Sequence, residues 1–175
     1  MAIIKTKRLL IDHLTKADGG FILELLNTPG WLQFIGDRGI KNIQDAQKYI
    51  RDGPAKSYQQ YDFGLYCVRL KETNIPIGIC GLINREELED VDIGFAFLPA
   101  YIGKGYAKEA ALATLEDGMN KHGLNRIVAI TNQDNENSIR LLERIGLSFE
   151  KLIIIPPGEK ELMLFGINRG IKKGN

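Results

Sequence analysis

The stretch that decides the fold is Leu98-Pro-Ala-Tyr-Ile-Gly-Lys-Gly-Tyr-Ala-Lys-Glu-Ala110. It follows an apolar run, residues 91–97, which is typical of a strand, and it leads into an alanine-rich segment that predicts a helix from Tyr106. A strand, a short glycine loop and a helix start form the geometry that holds a diphosphate. Glycine lets the main chain approach a ligand closely, and the free N–H groups and dipole of the first helical turn attract negative charge. We therefore expect Gly103 and Gly105 to line an anion site.

The spacing of this loop excludes two other phosphate-binding motifs. A Walker A loop is Gly-x4-Gly-Lys-Ser/Thr, but no glycine stands five residues before Gly103, and Gly105 follows Lys104 where Ser or Thr is needed. The dinucleotide fingerprint Gly-x-Gly-x-x-Gly requires glycine at the place of Lys108. A nucleotide-dependent enzyme is therefore the weakest of the alternatives that we consider.

Three blocks of sequence resemble the GNAT superfamily of N-acetyltransferases. The segment Ile102-Gly-Lys-Gly-Tyr-Ala107 is similar to its coenzyme A loop, Gln/Arg-x-x-Gly-x-Gly/Ala, although Ile102 departs from Gln/Arg. Residues 131–147 are similar to its segment Asn-x-x-Ser/Ala-x-x-Leu-x-Glu-Lys-x-Gly-Phe, and residues 6–13 resemble the first strand of the Rim-type branch, which acetylates ribosomal-protein N-termini. Because the blocks keep the family's order, the resemblance covers nearly the whole chain, and we interpret residues 1–175 as a single acetyltransferase domain.

The resemblance implies acetyl-CoA as cosubstrate and no metal. In the family, the strand before the loop splays from its neighbour, and its main chain pairs with the pantetheine arm. The loop's N–H groups hold the diphosphate, and basic side chains such as Lys108 reach phosphates or remain solvated surface charges. The expected coenzyme-binding residues are Phe97, Leu98, Ile102, Gly103, Lys104, Gly105, Tyr106, Ala107, Asn135, Ser138 and Arg140.

Two residues are candidates for proton transfer, which acetylation of an amine requires. Asp92 stands where many relatives have Glu, and it can reach the amine through a water; the alternative is a carboxylate that only tunes the pocket's electrostatics. The family's usual acid for the leaving thiolate is a tyrosine, whose position Leu142 occupies, and the Rim-type branch implies Ser138 instead. The competing interpretations are that Ser138 is only a structural helix cap and that Asn135 only stabilises the turn.

The acceptor is expected to be a primary amine, and basicity favours an α-amine. A lysine amine, with pKa about 10.4, is only ~0.1% neutral near pH 7.4, whereas a terminal α-amine, with pKa about 7.8, is roughly a quarter neutral. We therefore favour a peptide or protein N-terminus, bound near Trp31, Phe34 and the first two helices. The competing interpretation of Trp31 is a simple core residue. A small amine (polyamine, aminoglycoside or amino-acid derivative) and a non-catalytic acyl-CoA sensor remain alternatives. Glu86, Glu87 and Glu89 are weaker base candidates and are interpreted as a solvated acidic face that attracts a cationic substrate.

Composition excludes several other classes of protein. The chain is 44% hydrophobic and 26% charged with net charge +1, which marks neither a nucleic-acid binder nor a membrane protein. His13 and His122 stand alone, so no metal site is expected. Cys67 and Cys80 fall in predicted strands and are interpreted as reduced core residues of a cytoplasmic protein. Monomer and homodimer both remain open, since the terminal hairpin offers an edge that can pair.

The predicted fold class is mixed α/β. The resemblance implies a mostly antiparallel, twisted sheet of about seven strands, splayed at the coenzyme site and flanked by about four helices. Apolar periodicity and turn signals predict strands over 8–14, 62–70, 76–84, 91–98, 126–131, 147–155 and 160–167, and helices over 15–26, 42–51, 106–121 and 137–145, with a loop or short helix over 31–40.

Overall fold

A computed structural model describes residues 2–170, and these form one sheet with helices on both faces. The strands are β1 (Ile4–Lys5), β2 (Leu9–His13), β3 (Leu65–Leu70), β4 (Pro76–Ile83), β5 (Asp92–Phe97), β6 (Arg126–Asn132), β7 (Ser148–Ile154) and β8 (Glu161–Asn168). The α-helices are α1 (Gly19–Leu25), α2 (Pro29–Phe34), α3 (Ile43–Asp52), α4 (Pro54–Tyr61), α5 (Tyr106–Asn120) and α6 (Glu136–Arg144).

The strands lie in the order β1-β2-β3-β4-β5-β6-β8-β7. Neighbouring strands are antiparallel throughout, except β5 and β6, which are parallel. The mixed α/β class and the mostly antiparallel sheet are therefore confirmed. The parallel pair lies in the middle of the sheet, where the carboxyl ends of two strands point the same way.

The predicted numbers of elements were too low. The described residues contain eight strands rather than about seven, because the two-residue β1 is too short to give a periodic pattern. They also contain six α-helices rather than about four. The segment around Pro54 breaks α3 as predicted, but Pro54 also begins α4, since proline's fixed φ and missing N–H suit the first position of a helix. Likewise Pro29 begins α2 rather than only ending α1.

The helices cover the two faces of the sheet with separate apolar clusters. On one face, Ala110, Ala111 and Leu115 of α5 pack with Leu142 of α6 against the sheet. On the other face, α1 and α3 pack with Cys67 and other strand residues. Residues from helices on both faces line a cleft at β5 and β6.

Among residues 2–170, no helix combines the length and the hydrophobicity that spanning a membrane requires. No group of three His, Cys, Asp or Glu residues in that range is arranged to hold a metal ion. Cys67 and Cys80 are both buried and free, as expected of core residues.

Candidate active site

The candidate site begins where β5 and β6 separate. Their residues form a single ladder pair, Asp92 with Val128. Beyond this pair the strands diverge toward their carboxyl ends, and a cleft of about 810 Å³ opens between them. The splay that the family resemblance implied is therefore present. Residues of β5, β6, the loop before α5, α6 and α2 all line this cleft.

The backbone groups of β5 alternate between the two edges of the strand. The N–H of Leu98 donates to the Ile77 carbonyl on β4 (2.9 Å), whereas the Val91 carbonyl accepts from β6 on the other side (3.0 Å). By this alternation, the N–H and C=O groups of Phe95 and Phe97 face the cleft, where β6 has already diverged. Phe97 and Leu98 are the two predicted coenzyme-binding residues at this end of the strand. The Phe97 amide thus faces the cleft, whereas the Leu98 amide donates to Ile77 within the sheet.

The loop before α5 has the backbone conformation that its glycines permit. Gly103 and Gly105 have φ of 80° and 82°, a left-handed conformation that other residues adopt at a cost. Gly105 is the N-cap of α5, and no side chain caps the first-turn N–H groups. Ile102, Gly103, Gly105 and Ala107 line the cleft. The first turn of α5 therefore presents free donors and a helix dipole to an anion.

An unforeseen side chain, Arg8, braces this loop from the turn before β2. Its Nη1 donates to the Lys104 carbonyl (3.0 Å), and its guanidinium lies 4.4 Å from the centre of the Tyr106 ring. Glu109, one turn into α5, accepts from the Arg8 backbone N–H (2.8 Å), from Arg8 Nε (2.7 Å) and from the Thr6 hydroxyl (2.6 Å). The Tyr106 ring therefore stacks on the Arg8 guanidinium. Tyr106 is not among the residues that line the cleft.

The predicted basic side chains lie around the mouth of the cleft. Lys108 and Arg140 line it, and Arg140 also pairs with Glu136 one turn earlier on α6 (2.8 Å). Lys104 is exposed, with its Nζ 5.8 Å from the centre of the Tyr101 ring. Exposed cations at the rim suit a polyanionic ligand that is only partly enclosed.

The start of α6 brings Asn135 and Ser138 to the cleft wall opposite β5. The Asn135 Oδ1 accepts from the Ser138 N–H (3.3 Å) and caps the helix, so the turn role of Asn135 is present. The Ser138 side chain is half-buried and donates to no residue in the range 2–170. Leu142, at the family's tyrosine position, is 1% exposed and part of the core.

Asp92 lies at the point where the strands diverge, buried to 1% exposure. Arg85 Nε donates to both carboxylate oxygens, at 2.9 and 3.2 Å. Burial raises the pKa of Asp92 to about 6, although the charge and hydrogen bond of Arg85 oppose the rise. A carboxylate with this pKa is ionised at neutral pH and can accept a proton, which is what a general base needs.

The other end of the cleft is formed by α2, the segment after it and α3. Trp31 and Phe34 line it, although Trp31 is also 5% exposed and part of the apolar cluster of α1 and α3. The Asn132 amide of β6 donates to the Phe34 carbonyl, which connects α2 to the splayed strand. Arg38 and Tyr49 also line this end and were not predicted. The three glutamates that were expected to attract a cation (Glu86, Glu87 and Glu89) are exposed and absent from the cleft lining.

Comparison with known proteins agrees with this geometry. Residues 8–148 match the acetyltransferase (GNAT) domain family. The uncharacterized N-acetyltransferase YnaD of Bacillus subtilis is 29% identical over 159 residues, which is 90% of each chain. The crystal structure of a GNAT-family acetyltransferase from Bacillus anthracis is 27% identical, with a TM-score of 0.78 over 94% of this chain and 97% of that one.

A more distant structure resembles the chain in fold alone. RimL, the ribosomal L7/L12 α-N-protein acetyltransferase determined in complex with coenzyme A, has a TM-score of 0.81 over 96% of this chain and 98% of its own, at 14% identity. The splayed strand pair and the glycine loop thus occur within an architecture that binds coenzyme A in that relative.

Proposed function

This chain belongs to the acetyltransferase (GNAT) domain family, and from that premise we propose that its acetyl acceptor is the α-amine of a peptide or protein N-terminus, acetylated by direct transfer in a ternary complex. As a member of the family, it is an acetyl-CoA-dependent acetyltransferase. The choice of acceptor and the roles of individual residues are the proposal.

The residues of the loop fit a diphosphate. A Cβ on Gly105 would lie 3.2 Å from Arg8 Nη2 and would also need a positive φ, so only glycine leaves this place open without strain. We assign the diphosphate to the N–H groups of residues 103–107, with Lys104, Lys108 and Arg140 at the phosphates. Asn135 and the cleft-facing backbone of Phe97 are assigned to the pantetheine arm.

One observation supports the proposal most: the cleft is continuous from the glycine loop to Asp92. A thioester held by the loop and β5 would have its carbonyl beside the exposed edge of β5, and an amine entering past Trp31 and Phe34 would approach it near Asp92. Direct transfer needs this proximity and no covalent enzyme intermediate. Cys67 is buried, and burial raises the pKa of its thiol to about 12, so it is unsuited to act as a nucleophile.

The pKa of the acceptor amine favours an α-amine over a lysine, whichever base removes the proton. Moving a proton from an α-ammonium, with pKa about 7.8, to a carboxylate with pKa about 6 costs ~2.5 kcal/mol. The same transfer from a lysine ammonium, with pKa about 10.4, costs ~6 kcal/mol. Asp92 is the proposed base, acting through a water, and Ser138 is the proposed proton donor to the leaving thiolate.

The test is thiol release from acetyl-CoA across a panel of acceptors. The panel contains Ser- and Ala-initiated peptides, the same peptides with a blocked N-terminus and an internal lysine, a polyamine and an aminoglycoside. We expect turnover with free N-termini and at least tenfold less with the blocked peptides. Turnover of small amines alone would reassign the enzyme to that substrate class. Tight acetyl-CoA binding without turnover of any acceptor would identify a sensor instead.

A further inference from the structure

Positive charge is concentrated at the acceptor end of the cleft. Arg38 and Arg85 both line it. Burial raises the pKa of the Tyr49 phenol, and both guanidinium groups lie close enough for their charges to oppose this rise. Asp92 is the carboxylate that lines this end, and it is paired with Arg85. One positive charge therefore remains without a partner in the described part of the wall.

Several hydrogen-bond donors at this end are free. Arg85 uses Nε for Asp92, and its two Nη groups donate to no residue in the range 2–170. Within the same range, Arg38 forms no ion pair and the Tyr49 hydroxyl no hydrogen bond. The Trp31 indole N–H is buried and also has no partner. Arg38 is exposed and Arg85 is partly exposed, so water reaches their donors, whereas the buried indole N–H is costly to leave without an acceptor from a ligand.

A simple cationic amine does not match this wall. Its ammonium group would be repelled by Arg38, and it would offer no acceptor to the buried indole N–H of Trp31. A carboxylate matches both the unpaired positive charge and the free donors of this wall. A guanidinium binds a carboxylate with parallel N–H···O bonds, and the negative charge balances that of Arg38. The acceptor must also present an amine toward Asp92, so the two groups must belong to one molecule.

We infer that the acetyl acceptor carries a carboxylate close to its reacting amine, and that Arg38 and the free Nη groups of Arg85 bind this carboxylate. The inference rests on the proposed acetylation of an α-amine and narrows its substrate class. An acidic side chain early in a peptide and the α-carboxylate of a free amino acid both supply this chemistry.

Matched pairs of acceptors test the inference and separate the two sources. One pair is a C-terminally amidated peptide that begins Ser-Glu and its Ser-Gln counterpart; the other is free serine and serine amide. We expect the anionic member of at least one pair to have a kcat/KM at least tenfold higher. The pair that shows this preference identifies the source of the carboxylate.

Variants test whether the arginines of the cleft wall cause the preference for the anionic acceptor. Arg38→Gln should reduce the kcat/KM ratio of the anionic to the neutral acceptor below about threefold, mainly through KM. Arg51→Gln removes an exposed arginine of α3 that pairs with Asp52 outside the cleft, and it should leave the preference intact. Calorimetry of the anionic acceptor with CoA-saturated protein gives a readout without turnover, and Arg38→Gln should weaken that binding to the same degree.

The outcomes are distinguishable from those of the proposed function. Equal kcat/KM within both pairs, or a preference that survives Arg38→Gln, overturns the inference while acetylation of α-amines stands. Failure of every N-terminal acceptor, anionic or neutral, overturns the proposed function and the inference with it.

Discussion

Arg8 Nη1 donates a hydrogen bond to the carbonyl oxygen of Lys104 at 3.0 Å. This contact joins residues 96 positions apart in the chain and fixes the loop before α5 from the first strands of the sheet. The same guanidinium bonds Glu109 inside the first turns of α5. The proposed diphosphate site is therefore shaped by a side chain outside the loop motif as well as by its glycines.

Removing this brace should weaken binding of the coenzyme. We expect Arg8→Ala to raise the Kd for acetyl-CoA about tenfold, or ~1.4 kcal/mol, because the Lys104 carbonyl loses its donor and the Glu109 carboxylate is left without its cation beside the diphosphate. Isothermal calorimetry measures this change. Lys7→Ala is the control, since it removes an exposed neighbouring charge. An equal loss in both variants would mean that bulk charge, and not the brace, matters.

The glycine at the N-cap of α5 should be indispensable for coenzyme binding. Gly105→Glu places a side chain and a negative charge in the loop, and we expect no detectable heat on titration with acetyl-CoA. Gly123→Glu is the matched control, because Gly123 also has a positive φ (66°) and its Cβ would meet open space. If Gly105→Glu still binds as tightly as Gly123→Glu, the diphosphate lies elsewhere.

The pH profile should report Asp92 as the base. Its carboxylate must be ionised to accept a proton, so activity falls as the pH drops through about 6. Because Asp92 takes its proton from the α-ammonium, log kcat/KM should rise with a slope of about one below pH 6 in the wild type and level off between pH 6 and about 7.8. In Asp92→Asn water must remove that proton, so the rise should continue to about pH 7.8 and the rate at neutral pH should be lower. A wild-type profile that rises to about pH 7.8 as in Asp92→Asn would exclude Asp92 from this role.

The same pKa predicts how stability changes with pH. The pKa of Asp92 is raised from 3.8 to about 6 in the folded state, so the folded state binds the proton more tightly than the unfolded chain. The stabilisation from protonated Asp92 is complete below pH 3.8 and is lost as the pH rises through 6. Relative to Asp92→Asn, the wild type should therefore lose about 2 kcal/mol of unfolding free energy from pH 4 to 7, measured in urea. A pH-independent difference would show that the pKa is unshifted.

Ser138→Ala tests the proposed proton donor. The backbone N–H that bonds Asn135 is retained, so the helix cap survives. We expect kcat to fall about tenfold to a hundredfold while the Kd for acetyl-CoA changes less than about twofold. Glu143→Ala, at an exposed position of the same helix outside the cleft lining, should change neither value. A loss in Kd rather than in kcat would assign Ser138 to coenzyme binding alone.

The elements and the coenzyme loop could be predicted because their signals are local. The N-cap Asn42 of α3, the left-handed Gly123 after α5 and the glycines of the loop each follow from a few adjacent residues. Elements without a local signal were missed. The strand β1 has two residues, and α4 begins at a proline that also reads as a break.

The charges that line the acceptor end of the candidate site could not be predicted, because they are brought together by tertiary structure. The sequence placed Asp92 on a strand but gave no sign that Arg85 would pair with it or that burial would raise its pKa. It also suggested that an acidic face meets the substrate, whereas the wall carries Arg38 and Arg85.

By itself, the sequence determined the family, the glycine loop before α5 and the chain order of the strands that frame the candidate site. Backbone conformation and helix capping depend on near neighbours, which is why these features could be predicted. Only the tertiary structure decided which charges meet at the acceptor end and which arginine braces the loop. Those contacts join segments that are distant in the chain, and packing of the sheet and helices sets their distances and their burial.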